Sequence, residues 1–243
     1  MITVNEKTVS EAINYRRSVR IYDADKAIET EVVKKCLEQA VLAPNSSNMQ
    51  LWEFYHITSP DTLKELIPLC LGQNAAKTAK QMVVVAVRKD LWKKRAKANL
   101  EHLNTLYPPK PKEEQSKREK MAKSYYGRLI PLIYNDFLGI FRYITMLVLG
   151  LFKPIYREVR QRDIRVVAHK SAALAAQTFM LSMAAEGYDT CPMEGSDTWK
   201  VKKVLGLPLG AEINMIISCG IRNPEELYGE RFRIPFEEVY KEV

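Results

Sequence analysis

Two short runs, Arg16-Arg17-Ser18-Val19-Arg20 near the start of the chain and Arg231-Phe232-Arg233 near its end, hold five arginines, the side chains best built to grip an anion. A guanidinium is planar, stays charged at any working pH and offers paired donors that match phosphate or carboxylate oxygens. Several of them converging with the Ser18 hydroxyl would make a seat for a phosphate monoester, whose dianion needs more than one cation once it leaves water. Either run alone reads equally well as a solvated helix end beside the negative pole of a helix dipole.

Three segments between the runs add to the pattern: Ala43-Pro44-Asn45-Ser46-Ser47-Asn48-Met49-Gln50-Leu51-Trp52, Gln73-Asn74-Ala75-Ala76-Lys77 and Cys191-Pro192-Met193-Glu194-Gly195. The first is a polar loop, and since Pro, Asn and Ser favour turns through local hydrogen bonds it is by itself also an ordinary turn. In the second, Asn74 and Lys77 stand three apart, which puts both on one side of a helical turn. A plain surface lysine is the alternative. The third closes on Gly195, where a backbone can approach a ligand closely, and a simple turn fits it too.

Other chemistries find no pattern. Cys36, Cys70, Cys191 and Cys219 have no C-x-x-C spacing, and His56, His102 and His169 form no ligand set, so neither a metal site nor a disulfide framework is expected. There is no G-x-G-x-x-G, no P-loop, and no Ser-His-Asp or Cys-His arrangement for nucleophilic attack. Met1 to Ser10 lacks an apolar run behind a basic start, which predicts a cytoplasmic protein without a signal peptide.

The elements that must position these segments read as α+β. Apolar residues at helical spacing predict helices over Val9 to Tyr15 and Thr30 to Leu42, the second ended by Pro44. Trp52 to Thr58 reads as a strand, Pro60 to Leu71 as a helix, and Met82 to Val87 as a buried strand with a continuous apolar run. An alanine-rich helix follows over Ser171 to Glu186, stopped by Gly187. After it come a strand at Tyr188 to Pro192, a helix at Thr198 to Leu205 and a strand at Ile213 to Cys219. With 243 residues, 47% hydrophobic and 27% charged, the chain suits one domain carrying an insertion.

The insertion is the middle, at about 93–165. The formal net charge of +8 is concentrated just there: Arg88 to Arg128 holds thirteen Lys/Arg against five Asp/Glu. Such a run is usually a solvated helical face, and without a recognised binding module no nucleic acid is expected. Leu129 to Phe152 is strongly apolar but broken by Asn135, Asp136 and Arg142, and its longest clean piece falls short of the ~20 residues a bilayer span needs. A helical lid, an added dimer surface and an interfacial membrane element all fit; the lid is expected, with Tyr125, Tyr126, Tyr134, Phe137, Phe141 and Tyr143 as pocket or core aromatics. Since the five motifs lie outside it, deletion of Leu103 to Tyr156 is expected to leave a folded body.

At the five motifs, in their order, the sequence resembles the FMN-dependent nitroreductase family, over roughly residues 10 to 90 and 168 to 236. The resemblance implies a nitroreductase-like fold, a central, largely antiparallel sheet wrapped by helices, in an intertwined homodimer whose carboxyl-terminal segment, Glu230 to Val243, crosses onto the other subunit. It implies FMN as cofactor, with Arg16, Arg17, Ser18, Arg20, Arg231 and Arg233 at the phosphate. Pro44, Asn45, Ser46 and Asn48 would lie beside the flavin ring of the other subunit, Asn45 standing where a serine is more usual. Asn74 and Lys77 would meet the pyrimidine edge, Lys77 by its charge. Pro192, Met193, Glu194 and Gly195 would form the turn that brings a backbone N–H to flavin N5, Glu194 acting by position and not as a base. The implied activity is ping-pong hydride transfer from NAD(P)H through flavin N5 to nitroaromatic or quinone-like acceptors. A reductive dehalogenase-type enzyme on the same fold, or a flavin-binding or membrane-associated protein without turnover, stays open beside it.

Overall fold

In a computed structural model the protein is described over residues 6–135, 139–227 and 229–243. The fold is organised by Gln81–Val87 (β2), a run of apolar side chains buried along its whole length, which requires a neighbour on each edge and cover on each face. One edge takes Trp52–Ile57 (β1), with Trp52 opposite Val87 and Ile57 opposite Met82. The other takes Glu212–Gly220 (β4), with a bulge between Val85 and Ala86. Asp189–Met193 (β3) pairs with the outer edge of β4, giving a four-stranded antiparallel sheet in the order β1-β2-β4-β3.

Period-two alternation sends successive side chains of β2 to opposite faces. Val83, Val85 and Val87 join one core with Ile217 and Cys219, covered by Gln161–Ala185 (α9), whose Ala168, Ala172, Ala175 and Ala176 let it lie close to the sheet. Val9–Tyr15 (α1) and Thr30–Ala40 (α2) pack on α9, α1 opened by a reciprocal cap between Thr8 and Glu11. Met82 and Val84 face a second core with Cys191, Met193 and Ile216, covered by Pro60–Leu69 (α3), Asn74–Lys77 (α4) and Thr198–Val204 (α10).

The elements read from the sequence are all present, with ends displaced by one or two residues in most. α3 stops at Leu69 and not Leu71, because Leu71 and Gly72 take left-handed φ of 57° and 63°, which a helix cannot propagate. α2 likewise stops at Ala40 and not Leu42. The larger difference is α9, which begins ten residues before Ser171, where the Asp163 carboxylate accepts the Arg160 backbone N–H at 2.9 Å and caps it.

The middle of the chain forms Trp92–Leu106 (α5), Lys117–Ser124 (α6), a π-helical turn at Tyr125–Leu129, Ile130–Tyr134 (α7) and Gly139–Leu149 (α8). Asp136 and Phe137, named above, lie outside the described residues. The packing counts against deleting Leu103 to Tyr156 without loss: Ile130 and Tyr134 of that span are buried in the α9-side core beside Ala96, and the Trp92 and Tyr134 rings stack at 6.1 Å. Tyr134 is thus a core residue, whereas Phe141 is 66% exposed on α8. Among the described residues no single helix is long and apolar enough to cross a membrane.

Candidate functional site

The first arginine run is held in place before it meets any ligand. Asp189, buried in β3, accepts from the Arg222 backbone N–H at 2.8 Å and from its Nε at 2.9 Å. The same guanidinium donates to the Tyr15 carbonyl at 3.0 Å and lies over the Tyr15 ring, 4.1 Å from its centroid. Three residues on, Ser18 bridges Thr190 of β3 in parallel, and the Val19 N–H donates to the Thr190 carbonyl at 3.2 Å. Tyr22 closes the clamp by donating its hydroxyl to the Ser218 carbonyl at 2.9 Å. Its ring crosses Gly220 so tightly that a Cβ there would sit 2.6 Å away, which reserves the position for glycine.

Between these anchors the two arginine runs meet. Arg16, Arg17, Ser18, Glu230, Arg231, Phe232 and Arg233 line one cavity of about 170 Å³. The carboxyl-terminal run is pinned to the first by hydrogen bonds across more than two hundred residues of sequence: Arg17 Nη2 donates to the Gly229 carbonyl at 2.7 Å, and Arg231 Nη2 to the Asn14 carbonyl at 2.8 Å and to that of Arg16. Burial, then the charges of Arg231 and Arg233, lower the proton affinity of Arg16 below that of a free guanidinium. That is the electrostatic signature of a cation cluster that an anion would relieve. Arg20 is not among the lining residues; with Arg16 it faces Cys191, whose thiol burial pushes up while Arg20 and Arg16 draw it down.

The polar loop is strained and braced. Ser47, Asn48 and Gln50 hold positive φ of 55°, 48° and 47°, a conformation that costs non-glycine residues on the order of 1 kcal/mol each. Asn45 Oδ1 accepts the Gln50 N–H at 2.9 Å, a bond that fixes the loop's own geometry. The middle segment supplies the rest: the Ser47 hydroxyl lies 2.6 Å from the Tyr125 hydroxyl, the Tyr126 hydroxyl donates to the Ser47 carbonyl at 3.0 Å, and Asn99 pairs with the side chain and carbonyl of Asn48, each at 2.9 Å. Pro44 and Ser46 are exposed. From the other side, the Ser46 N–H donates to the Ser171 hydroxyl of α9 at 3.2 Å.

Asn74 and Lys77 fall on α4 as their spacing predicts, and Lys77 is exposed. Just before them, Gln73 donates from Nε2 to the Gly195 carbonyl at 2.8 Å and to that of Cys70 at 3.1 Å, joining this segment to the Pro192-to-Gly195 turn. In that turn Met193 is a core side chain, 2% exposed, so only its backbone is available to a ligand. Glu194 and Gly195 are exposed, and Pro192 is half-buried. Gly195 has no left-handed φ, and a Cβ there would meet Gln73 and Leu71 at ordinary contact distances, so nothing within the chain itself requires glycine.

Comparison with known proteins decides the family. The model of the Nitroreductase family matches residues 13–221. Protein DrgA of Synechocystis is 30% identical over 224 residues, which cover 91% of this chain and 87% of DrgA. The chain belongs to the nitroreductase family. YdgI of Bacillus subtilis, provisionally named an NAD(P)H nitroreductase, is 28% identical over 98% of both chains. A provisionally named nitroreductase from Exiguobacterium sibiricum, solved in complex with FMN, shares the fold with a TM-score of 0.67 over 98% of both chains at 22% identity.

Four of the five motifs lie inside the stretch that matches the nitroreductase model, whereas Arg231 and Arg233 lie beyond its end. Their meeting with Arg16 and Arg17 is a product of the fold. Sequence reasoning gave no role to Asp189, Arg222, Tyr15, Tyr22, Gln73 and Asn99, which hold the site segments together. Asp189 carried a signal that could have been used: an acid at the start of an otherwise apolar strand must find a buried cation.

Proposed function

We propose that this member of the nitroreductase family is an NAD(P)H-dependent FMN oxidoreductase that works as a homodimer on nitroaromatic or quinone-like acceptors. The observation that carries the reading is the convergence of Arg16, Arg17, Ser18, Arg231 and Arg233 on one small cavity. At about 170 Å³ it is smaller than the ~300–1,000 Å³ of a pocket that encloses a whole ligand, so it suits a phosphate while the rest of the cofactor lies outside. The FMN complex of the Exiguobacterium relative and the NAD(P)H in the name of YdgI support the choice of cofactor and donor.

Bound there, FMN supplies two-electron hydride chemistry that the side chains lack. The chain's own tasks are binding, orientation and electrostatics. Arg16, Arg17, Arg231 and Arg233, with Ser18, neutralise the phosphate, and Arg20 adds charge from behind. Lys77, one turn from Asn74, favours negative charge on the ring edge beside it. The exposed backbone of Glu194 and Gly195 offers N–H donors, with Pro192 and the buried Met193 fixing where they point. Pro44, Ser46 and Asn48 present a braced surface against which the ring of a second copy's cofactor would lie, and Asn45 fixes its shape.

A homodimer accounts for the carboxyl-terminal segment, in which Phe232, Ile234, Phe236 and Tyr240 are all exposed. Light scattering should give twice the mass of one chain.

The purified protein should be yellow, with FMN and not FAD released on denaturation. In titrations of stripped protein, Arg16→Ala with Arg233→Ala should weaken FMN by several kcal/mol, at about 1.5–3 kcal/mol for each charged hydrogen bond, and leave riboflavin nearly unchanged. Equal losses for FMN and riboflavin would remove the phosphate seat from the proposal. A colourless protein that FMN cannot reconstitute would remove the proposal itself.

A further inference from the structure

α8 is built inside out. A helix at the surface of a water-soluble body turns its polar residues outward and its apolar ones inward. Here the one charged residue, Arg142, is buried, donating from Nε to the Val159 carbonyl at 2.7 Å and from Nη1 to that of Leu132. Ile140, Phe141, Ile144, Leu147 and Val148 are exposed, and the turn that follows presents Leu151 and Phe152 at 79% and 82% exposure. Thr145, on the same surface, bonds its hydroxyl back to the Phe141 carbonyl at 2.9 Å.

Cations flank this apolar surface at both ends. From Gly139 to Arg162 the chain has five Lys/Arg and a single acid, Glu158. Lys153 and Arg157 follow the helix and are exposed, Arg157 donating to the Gly150 carbonyl at 2.7 Å. At the other end Arg160 lies over the Tyr143 ring and Arg162 is exposed. An apolar face bordered by cations complements one environment closely, the boundary between acyl chains and anionic headgroups. With 11 residues, α8 is about 16 Å long, too short to span and well suited to lie in that plane.

We propose that the face from Ile140 to Phe152 docks on anionic lipid. A second copy fits it less well, because a two-fold contact through this patch would set Lys153 and Arg157 of one chain near the same cations of the other. The elements assigned to the dimer, the Pro44-to-Asn48 loop and the carboxyl-terminal segment, are separate from α8. The inference needs no flavin and its test needs no turnover.

The test is sedimentation of the full-length protein with vesicles of phosphatidylglycerol and phosphatidylcholine in equal parts, and with phosphatidylcholine alone. Binding should favour the anionic vesicles and fall steeply with added salt. Lys153→Gln with Arg162→Gln should weaken it by roughly thirtyfold, about fivefold for each cation lost near the surface. Phe141→Ser with Leu151→Ser and Phe152→Ser should abolish it, and since all three side chains are exposed this variant should keep the wild-type melting temperature. Phe152→Trp should shift its emission to the blue on anionic vesicles and be quenched by brominated acyl chains. No sedimentation at low salt, an unquenched Phe152→Trp, or a triple variant that binds as before would each overturn the proposal. So would a triple variant of half the wild-type mass in light scattering, which would assign the patch to a second copy.

Discussion

The sheet edge that carries the arginine runs and the helix α8 differ in how they treat charge. At the edge, two buried polar anchors, Asp189 with Arg222 and Tyr22 with Ser218, act with a backbone bridge between Ser18 and Thr190. These bonds leave Arg16 partly buried and beside the charges of Arg231 and Arg233, a crowding that a bound anion would relieve. At α8 a single buried arginine anchors a helix whose remaining surface is apolar. One region is held by polar bonds between distant segments; the other turns an apolar face outward with few such bonds. α5, the π-helical turn and α7 lie between these extremes, since α5 and α7 contribute Ala96, Ile130 and Tyr134 to the core while Asn99 of α5 and Tyr125 and Tyr126 of the turn brace the strained loop.

The comparison breaks most readily at Asp189. Asp189→Ala leaves the Arg222 guanidinium half-buried without its carboxylate and should destabilise the fold by about 3–5 kcal/mol, measured by urea denaturation. A loss under about 1 kcal/mol would mean that the edge is not held as described.

Core and surface within the middle segment separate in a paired substitution. Ile130→Ala should cost about 2–5 kcal/mol, as a fully buried side chain does, whereas Ile144→Ala on α8 should stay within about 0.5 kcal/mol. Similar values for the two would erase the division between α7 and α8.

Tyr126→Phe removes the hydroxyl that donates to the Ser47 carbonyl and should cost about 0.5–1.5 kcal/mol in thermal or chemical melts. If the loop lies beside the cofactor, the same variant should also perturb the visible spectrum of the bound flavin. An unchanged spectrum together with unchanged stability would show that the brace carries nothing.

The smallest effect concerns pH. Glu212, at the start of β4, is bonded by Arg165 and lies 3.3 Å from His169 Nε2. Burial alone would raise its carboxyl, but the bonds from Arg165 and His169 outweigh it and hold the group below the ordinary glutamate range. A depressed carboxylate contributes stability that is present above the unfolded value of about 4.3 and is lost as pH falls through the folded value. Because the pair is partly exposed, the contribution should be under about 1 kcal/mol. Glu212→Gln should remove that acid-side slope from the stability profile and change little at pH 7.

How much of this was legible in the sequence follows from the range of the forces involved. Strand β2 and helices α1, α3 and α10 could be read because alternation, helical spacing and caps are local, and their physics acts within a few residues. The five motifs could be read for the same reason: arginine pairs and polar turns state their chemistry by type. Helices α5 and α6 could not be placed, since Lys93 to Arg128 has too weak an apolar pattern to fix a face, and α7 and α8 could not because Leu129 to Phe152 is apolar on nearly every side. The bond of Asn45 to the Gln50 N–H and the burial of the Met193 side chain were not legible, because direction is set by neighbours beyond the residue itself.

The sequence by itself therefore determined that this chain folds as an α+β body with an arginine run near each end and a family likeness in its motifs. Only the tertiary structure decided that the two ends share one cavity, that Ile130 and Tyr134 belong to the core, and that α8 shows its apolar side to the outside. Each of those outcomes depends on which surfaces distant segments bury against one another. Burial is a property of the whole chain and is written in no single stretch of it.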